Sequence, residues 1–189
     1  MTIPALNPPA GAPSAARQGP ALRPVVAAVA AGIALLAGAL APAQATTKTE
    51  RTFDAWTVVC IENDDAAKRC SMLQSRIRAQ DKRLALLWTI SAGDDNALVQ
   101  SLTVPAGISI KEGIRLFVGD GDPETLGYDI CGPRVCIARA PFGSDLAQSL
   151  KGASKASASY VLGSKQLMQV EFDLTGFAPA YDYLVAQLS

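Results

Sequence analysis

Histidine is absent from all 189 residues. Ser-His-Asp and Cys-His nucleophile arrangements are thereby excluded, and so is the commonest side-chain ligand of a transition metal. Ser-x-x-Lys does not occur, and no glycine-rich phosphate loop runs into a lysine, so the serine–lysine signature and the usual nucleotide cradle are missing too. Nor is there an excess of either charge: 17 basic residues face 17 acidic ones. A nucleic-acid partner would call for a basic patch. The sequence predicts no catalytic residue, no cofactor and no resident metal.

What is present begins with a biased N-terminus. Met1–Leu22 is rich in Pro, Ala and Gly without an acidic residue, and Arg17 and Arg23 precede the apolar run Val25–Leu40. Ala43-Gln44-Ala45 follows, an A-x-A cleavage pattern. Residues 1–45 therefore read as a secretory signal peptide cut between Ala45 and Thr46. The apolar run is shorter than the roughly 20 residues of a spanning helix, so no stable membrane span is expected after cleavage. What remains divides into a short polar linker, 46–52, and one ordinary domain, 53–189. Four cysteines behind such a leader imply an oxidising compartment, periplasmic or secreted.

The domain opens on Phe53–Cys60, strand-like in its Val, Thr and aromatic content. Across the polar turn Glu62-Asn63-Asp64-Asp65, Arg69–Arg78 returns as its hairpin partner. Arg83–Ser91 sets Leu84, Leu86, Trp88 and Ile90 on one face, the period of a strand. Further strands are expected at Ala97–Val104, along Ile108–Val118 with a break at Gly113, and in the hairpin Thr125–Cys131 with Val135–Ala140. Ser144 is placed to cap a helix over Asp145–Lys151. A last hairpin pairs Ala156–Leu162 with Gln166–Leu174, and Pro179–Leu188 forms a short terminal helix. Roughly eight to ten short strands, with turns about every 8–12 residues, specify an all-β, antiparallel β-sandwich or barrel-like domain. One or two short helices lie near its C-terminus.

The cysteines are spaced Cys60-x9-Cys70 and Cys131-x4-Cys136. Neither is the C-x-x-C of a redox-active pair. Three connectivities are open to four cysteines; the proposed hairpins favour local pairing, as two structural staples. Asp120, Asp122 and Glu124 alternate as calcium ligands do, yet Thr125 and Cys131 stand where an EF-hand needs glycine and glutamate. A solvated turn accounts for them better. For Trp56 and Trp88, ligand stacking competes with core packing, and their apolar strand faces favour the core.

Taken together, these residues resemble the invasion-associated locus B family of exported bacterial proteins. The resemblance rests first on Phe53, Trp56, Val58, Cys60, Cys70 and Gln74. Leu102, Pro105, Gly107 and Gly113 follow, then Cys131, Cys136 and Ala138, then Leu174, Gly176, Phe177 and Ala180. It runs from Phe53 to about Leu188, with Val135 departing from the glycine usual before the third motif's second cysteine. It implies a β-sandwich in the periplasm or outer envelope and, for founding members, a part in invading host cells. It transfers no catalytic residue.

The expected function is that of a non-enzymatic envelope module binding a protein or glycan of the envelope or of a host. One alternative is a periplasmic thiol–disulfide oxidoreductase using Cys131 and Cys136; another is a hydrolase using Asp120, Asp122 and Glu124. The leader yields the first prediction. Intact-mass measurement on the exported protein should find a chain beginning at Thr46, and a dominant species retaining Val25–Leu40 would refute cleavage.

Overall fold

Strands with one apolar face fold onto one another in two antiparallel sheets. A computed structural model describes residues 46–63, 66–93 and 97–188; the leader and Ala45 lie outside them. The larger sheet has the spatial order β1 (Thr46–Phe53), β2 (Trp56–Asn63), β3 (Ala66–Ile77), β4 (Leu84–Ala92), β5 (Leu98–Pro105), β9 (Val135–Pro141) and β8 (Tyr128–Cys131). The smaller runs β11 (Leu167–Asp173), β10 (Lys155–Val161), β6 (Ile114–Val118) and β7 (Glu124–Leu126). Helix α1 (Ser144–Gly152) precedes β10 and α2 (Phe177–Gln187) ends the chain. The sheets stay separate, a sandwich and not a closed barrel.

Alternation decides which face goes in. In β4, Leu86, Trp88 and Ile90 are fully buried; in β11, Val170 and Phe172 are buried while Gln169, Glu171 and Asp173 are exposed. Aromatic rings then bridge the layers. Phe172 of the small sheet meets Trp88 edge-on at 5.2 Å, Trp88 meets Trp56 at 5.5 Å, and Trp56 meets Phe177 of α2 at 5.2 Å. Both tryptophans are core residues.

The sheets are also clamped by hydrogen bonds at the free edge of β11. Gln74 on β3 is buried, and its amide donates to the Asp173 carbonyl (2.7 Å) while its carbonyl oxygen accepts from the Asp173 N–H (3.1 Å). Trp56 Nε1 donates to the same carbonyl at 3.1 Å, and Arg76 Nε reaches the Glu171 carbonyl at 2.6 Å. Backbone groups that an edge strand leaves open are thus satisfied by side chains of the opposite sheet.

Several elements differ from the sequence expectation. Residues 46–52 are no linker but most of β1, paired with β2 from Thr46↔Asn63 to Phe53↔Trp56. The expected strand Phe53–Cys60 is broken at Asp54-Ala55, where Asp54 takes φ 48° and turns the chain; β1 carries no apolar alternation, since its side chains before Phe53 are polar and exposed. Thr125–Cys131 is two strands, β7 in one sheet and β8 in the other, separated by Gly127. A 3₁₀ turn, Ile110–Glu112, replaces the first half of the expected Ile108–Val118 strand. The N-cap of α1 is Gly143, with Ser144 bonded sideways to Asp145, and α2 starts two residues earlier than expected, at Phe177.

Two glycines are required by close approach. At Gly176 (φ 82°) a Cβ would lie 2.1 Å from the Phe53 carbonyl oxygen, and at Gly113 (φ 65°) 2.6 Å from that of Leu126. Gly176 thereby lets α2 start against the β1–β2 turn.

Replacing Gln74 by Leu keeps the volume and strands the Asp173 N–H, at a cost of about 2 kcal/mol. Urea unfolding should show that loss as a lower midpoint with an unchanged slope; a midpoint equal to wild type would mean the clamp contributes nothing.

Candidate interaction surface

The residues singled out for chemistry do not converge. Asp120 and Asp122 sit exposed in the turn after β6, and Glu124 opens β7, accepting a 3.2 Å hydrogen bond from Gln100. Among the described residues, no three carboxylates or cysteines gather as a metal site would need. Disulfides join Cys60 to Cys70 and Cys131 to Cys136, each pair directly opposed across neighbouring strands with Cα separations of 4.1 and 4.0 Å. So short a separation marks the non-hydrogen-bonded pairs of an antiparallel ladder. Cys60, Cys70 and Cys136 are buried and Cys131 is exposed.

Inside the sandwich, β4, β5 and β8 each carry a buried polar atom. Gln100 is fully buried on the core face, and its Oε1, the Trp88 indole N–H and the Tyr128 hydroxyl have no partner among the described residues. Burial, with Tyr160 and Glu112 nearby as lesser causes, pushes the Tyr128 phenol up to about 12. Tyr160 also lies above its ordinary value, chiefly through burial, and donates to the Ala85 carbonyl at 2.9 Å. At the surface, the Thr175 N–H holds the Asp173 carboxyl below its usual range, and the Arg83 N–H does the same for Asp81.

The opposite face of the large sheet is different. Register places its outward residues in rows across the strands. One row runs Thr52–Thr57–Leu73–Thr89–Ser101–Arg139. Its neighbour runs Glu50–Val59–Ser71–Ser91–Val99–Pro141. A third joins Ser75, Leu87, Thr103, Ile137 and Ile130. From β2 to β5 these rows hold no ionisable side chain; charge returns at their ends, with Glu50 and Arg139, and in the adjoining row Lys48–Ile61–Arg69. The patch spans roughly 15–20 Å across the strands at about 4.8 Å per strand. Hydroxyls are interspersed on it with Val and Leu, so the surface can make both apolar contacts and hydrogen bonds. In the sequence the only trace of this face is the lack of charge at the positions between the buried ones, as at Thr57, Val59, Ser71, Leu73, Leu87, Thr89, Val99 and Ser101.

The model of the family described as "Invasion associated locus B (IalB) protein" matches residues 56–185. The chain belongs to this family. Invasion protein B of Bartonella bacilliformis is 28% identical over 149 residues, 77% of this chain and 78% of that protein. The crystal structure of invasion associated protein b from Bartonella henselae shares the fold, with a TM-score of 0.64 at 22% identity over 73% of this chain and 95% of that one. The residues that carry the locus B resemblance serve the sandwich itself. Trp56 and Phe177 build the aromatic bridge, Gln74 the clamp, Gly113 and Gly176 the close approaches, and the cysteines the staples. Apart from Pro105, at the end of β5, none of them lies on the uncharged face.

Tyr128 generates a pH prediction. Its proton is held more tightly folded than unfolded, so its contribution to stability is complete below pH 10 and is lost as pH rises towards 12. Tyr128→Phe also removes the unpartnered hydroxyl. It should leave stability at pH 8 equal or higher and flatten the decline above pH 10, measured by urea midpoints across that range. An unchanged alkaline slope would contradict the assignment.

Proposed function

We propose that the protein is exported, works outside the cytoplasm without catalytic chemistry, and binds a protein or glycan of the envelope or host cell through the outer face of its large sheet. The observation that carries this reading is the three neighbouring rows of outward residues from β2 to β5 that hold no charge, bounded by Arg69 at the end of β3. Exposed surfaces are ordinarily laced with charge, whereas the centre of an interface is depleted of it. Family membership and two disulfides support a place beyond the reducing cytoplasm. The name of the Bartonella bacilliformis relative, Invasion protein B, favours contact with a host cell. No described helix is long and apolar enough to cross a membrane.

The oxidoreductase alternative has weaker support. Catalytic thiolates are drawn to helix N-termini and cationic settings. Cys131 and Cys136 instead bridge two strands, with Cys136 buried and Arg134 exposed beside them.

Two measurements test the reading. Crosslinking pull-downs from envelope extract and from host-cell surface extract should recover a partner with wild type and with Gln169→Arg, on the small sheet's outer face. The same partner should be lost at least tenfold with Thr89→Arg, in the middle of the uncharged face; retention would remove that face from binding. Thiol titration in glutathione buffer at periplasmic-like poise should find both bridges closed, and ready reduction of Cys131–Cys136 would restore the enzyme alternative.

A further inference from the structure

Sheet edges invite other strands, and the described residues form four of them: β1 and β8 on the large sheet, β11 and β7 on the small. Three are blunted. β11 has its outward carbonyls at Glu171 and Asp173 taken by Arg76, Gln74 and Trp56. β7 is three residues long, and β8 is four residues long with an irregular register against β9. β1 is eight residues long, regular throughout, exposed except at Phe53, and without a second neighbouring strand among the described residues.

The ladder fixes which of its groups are free. Cys60 and Cys70 form a close, non-hydrogen-bonded pair, so the backbone N–H and C=O of Cys60 point to β1, where Thr49 is opposite. Thr49 is therefore bonded inward, and the free backbone groups of β1 are those of Thr46, Lys48, Glu50 and Thr52. A second strand must bond to these even-numbered residues. If that strand is β1 of another copy, the two-fold register centred on Thr49 sets Lys48 against Glu50 of the second copy, twice. Each lysine already lies 3.0 Å from the Glu50 carboxylate of its own strand, so four charges alternate in sign across the seam. Centring on Lys48, Glu50 or Arg51 instead opposes identical charges. Arg51 is held on the inner face over the rings of Phe53 and Tyr183, 5.8 and 5.0 Å from their centroids, clear of the outer-face seam.

We propose that β1 pairs antiparallel with β1 of a second copy of this chain, in the register centred on Thr49, fusing two seven-stranded sheets edge to edge. Charged residues usually discourage edge pairing. Here the alternation rejects an uncharged or foreign strand and accepts its own, which makes it a selector for self-association.

The test is sedimentation velocity on the full chain, expressed with its leader and recovered as the cell processes it. Wild type should sediment as a dimer at tens of micromolar. Glu50→Lys turns both seam pairs into like-charge pairs and should raise the dimer dissociation constant at least about tenfold. Its far-UV circular dichroism should not change, since Glu50 is solvent-exposed. The charge-swapped double variant Lys48→Glu/Glu50→Lys restores the alternation and should dimerise again. A wild-type monomer at the highest soluble concentration, a dimer indifferent to Glu50→Lys, or failure of the double variant to recover would each overturn the proposal.

Discussion

The backbone of Asp173 is where the two sheets are locked together. One buried glutamine, Gln74, meets both its N–H and its carbonyl, and the Trp56 indole shares that carbonyl. Without this contact β11 would be an open edge whose polar groups lie partly buried beside an apolar core, an arrangement that costs free energy for each unpaired group. With it, the edge becomes the seam of the sandwich. Hydrophobic burial supplies most of the attraction between layers, but burial is non-directional. The clamp is directional, so it selects one relative placement of the sheets from the many that would bury similar area.

The aromatic bridge depends on that placement. Phe172, Trp88, Trp56 and Phe177 meet edge to face in a continuous line from the small sheet to α2, a geometry lost by a shift of a few ångströms. The disulfides act more locally. Each joins neighbouring strands within one hairpin, with sequence separations of 10 and 5 residues, and on the chain-entropy model contributes about 3 and about 2 kcal/mol by restricting the unfolded chain. They join neighbours within the large sheet, β2 to β3 and β8 to β9, whereas Gln74 and the aromatic line connect one layer to the next. The residues that carry the locus B resemblance therefore lie mainly in the interior and at close approaches of the backbone.

The sequence by itself determined a good deal. Period-two alternation in 84–91 and 166–174 named the strands and their buried faces, because a strand's side chains alternate whatever it packs against. Lack of histidine removed whole classes of catalysis, and cysteine number and spacing called for structural bridges. Other features became visible only in three dimensions. Strand β1 is polar on both sides and gives no periodic signal; its conformation comes from hydrogen bonds to β2, which are backbone groups that no residue type records. The division of Thr125–Cys131 between two sheets depends on which neighbours, β6 or β9, are in reach on either side of Gly127. Gln74 reads in sequence as one more polar residue, and its partner lies 99 positions away. The uncharged face is assembled from two or three outward residues per strand. Local chemistry fixes where each side chain points relative to its own backbone; which strands become neighbours is a long-range choice, and that choice made both the clamp and the surface.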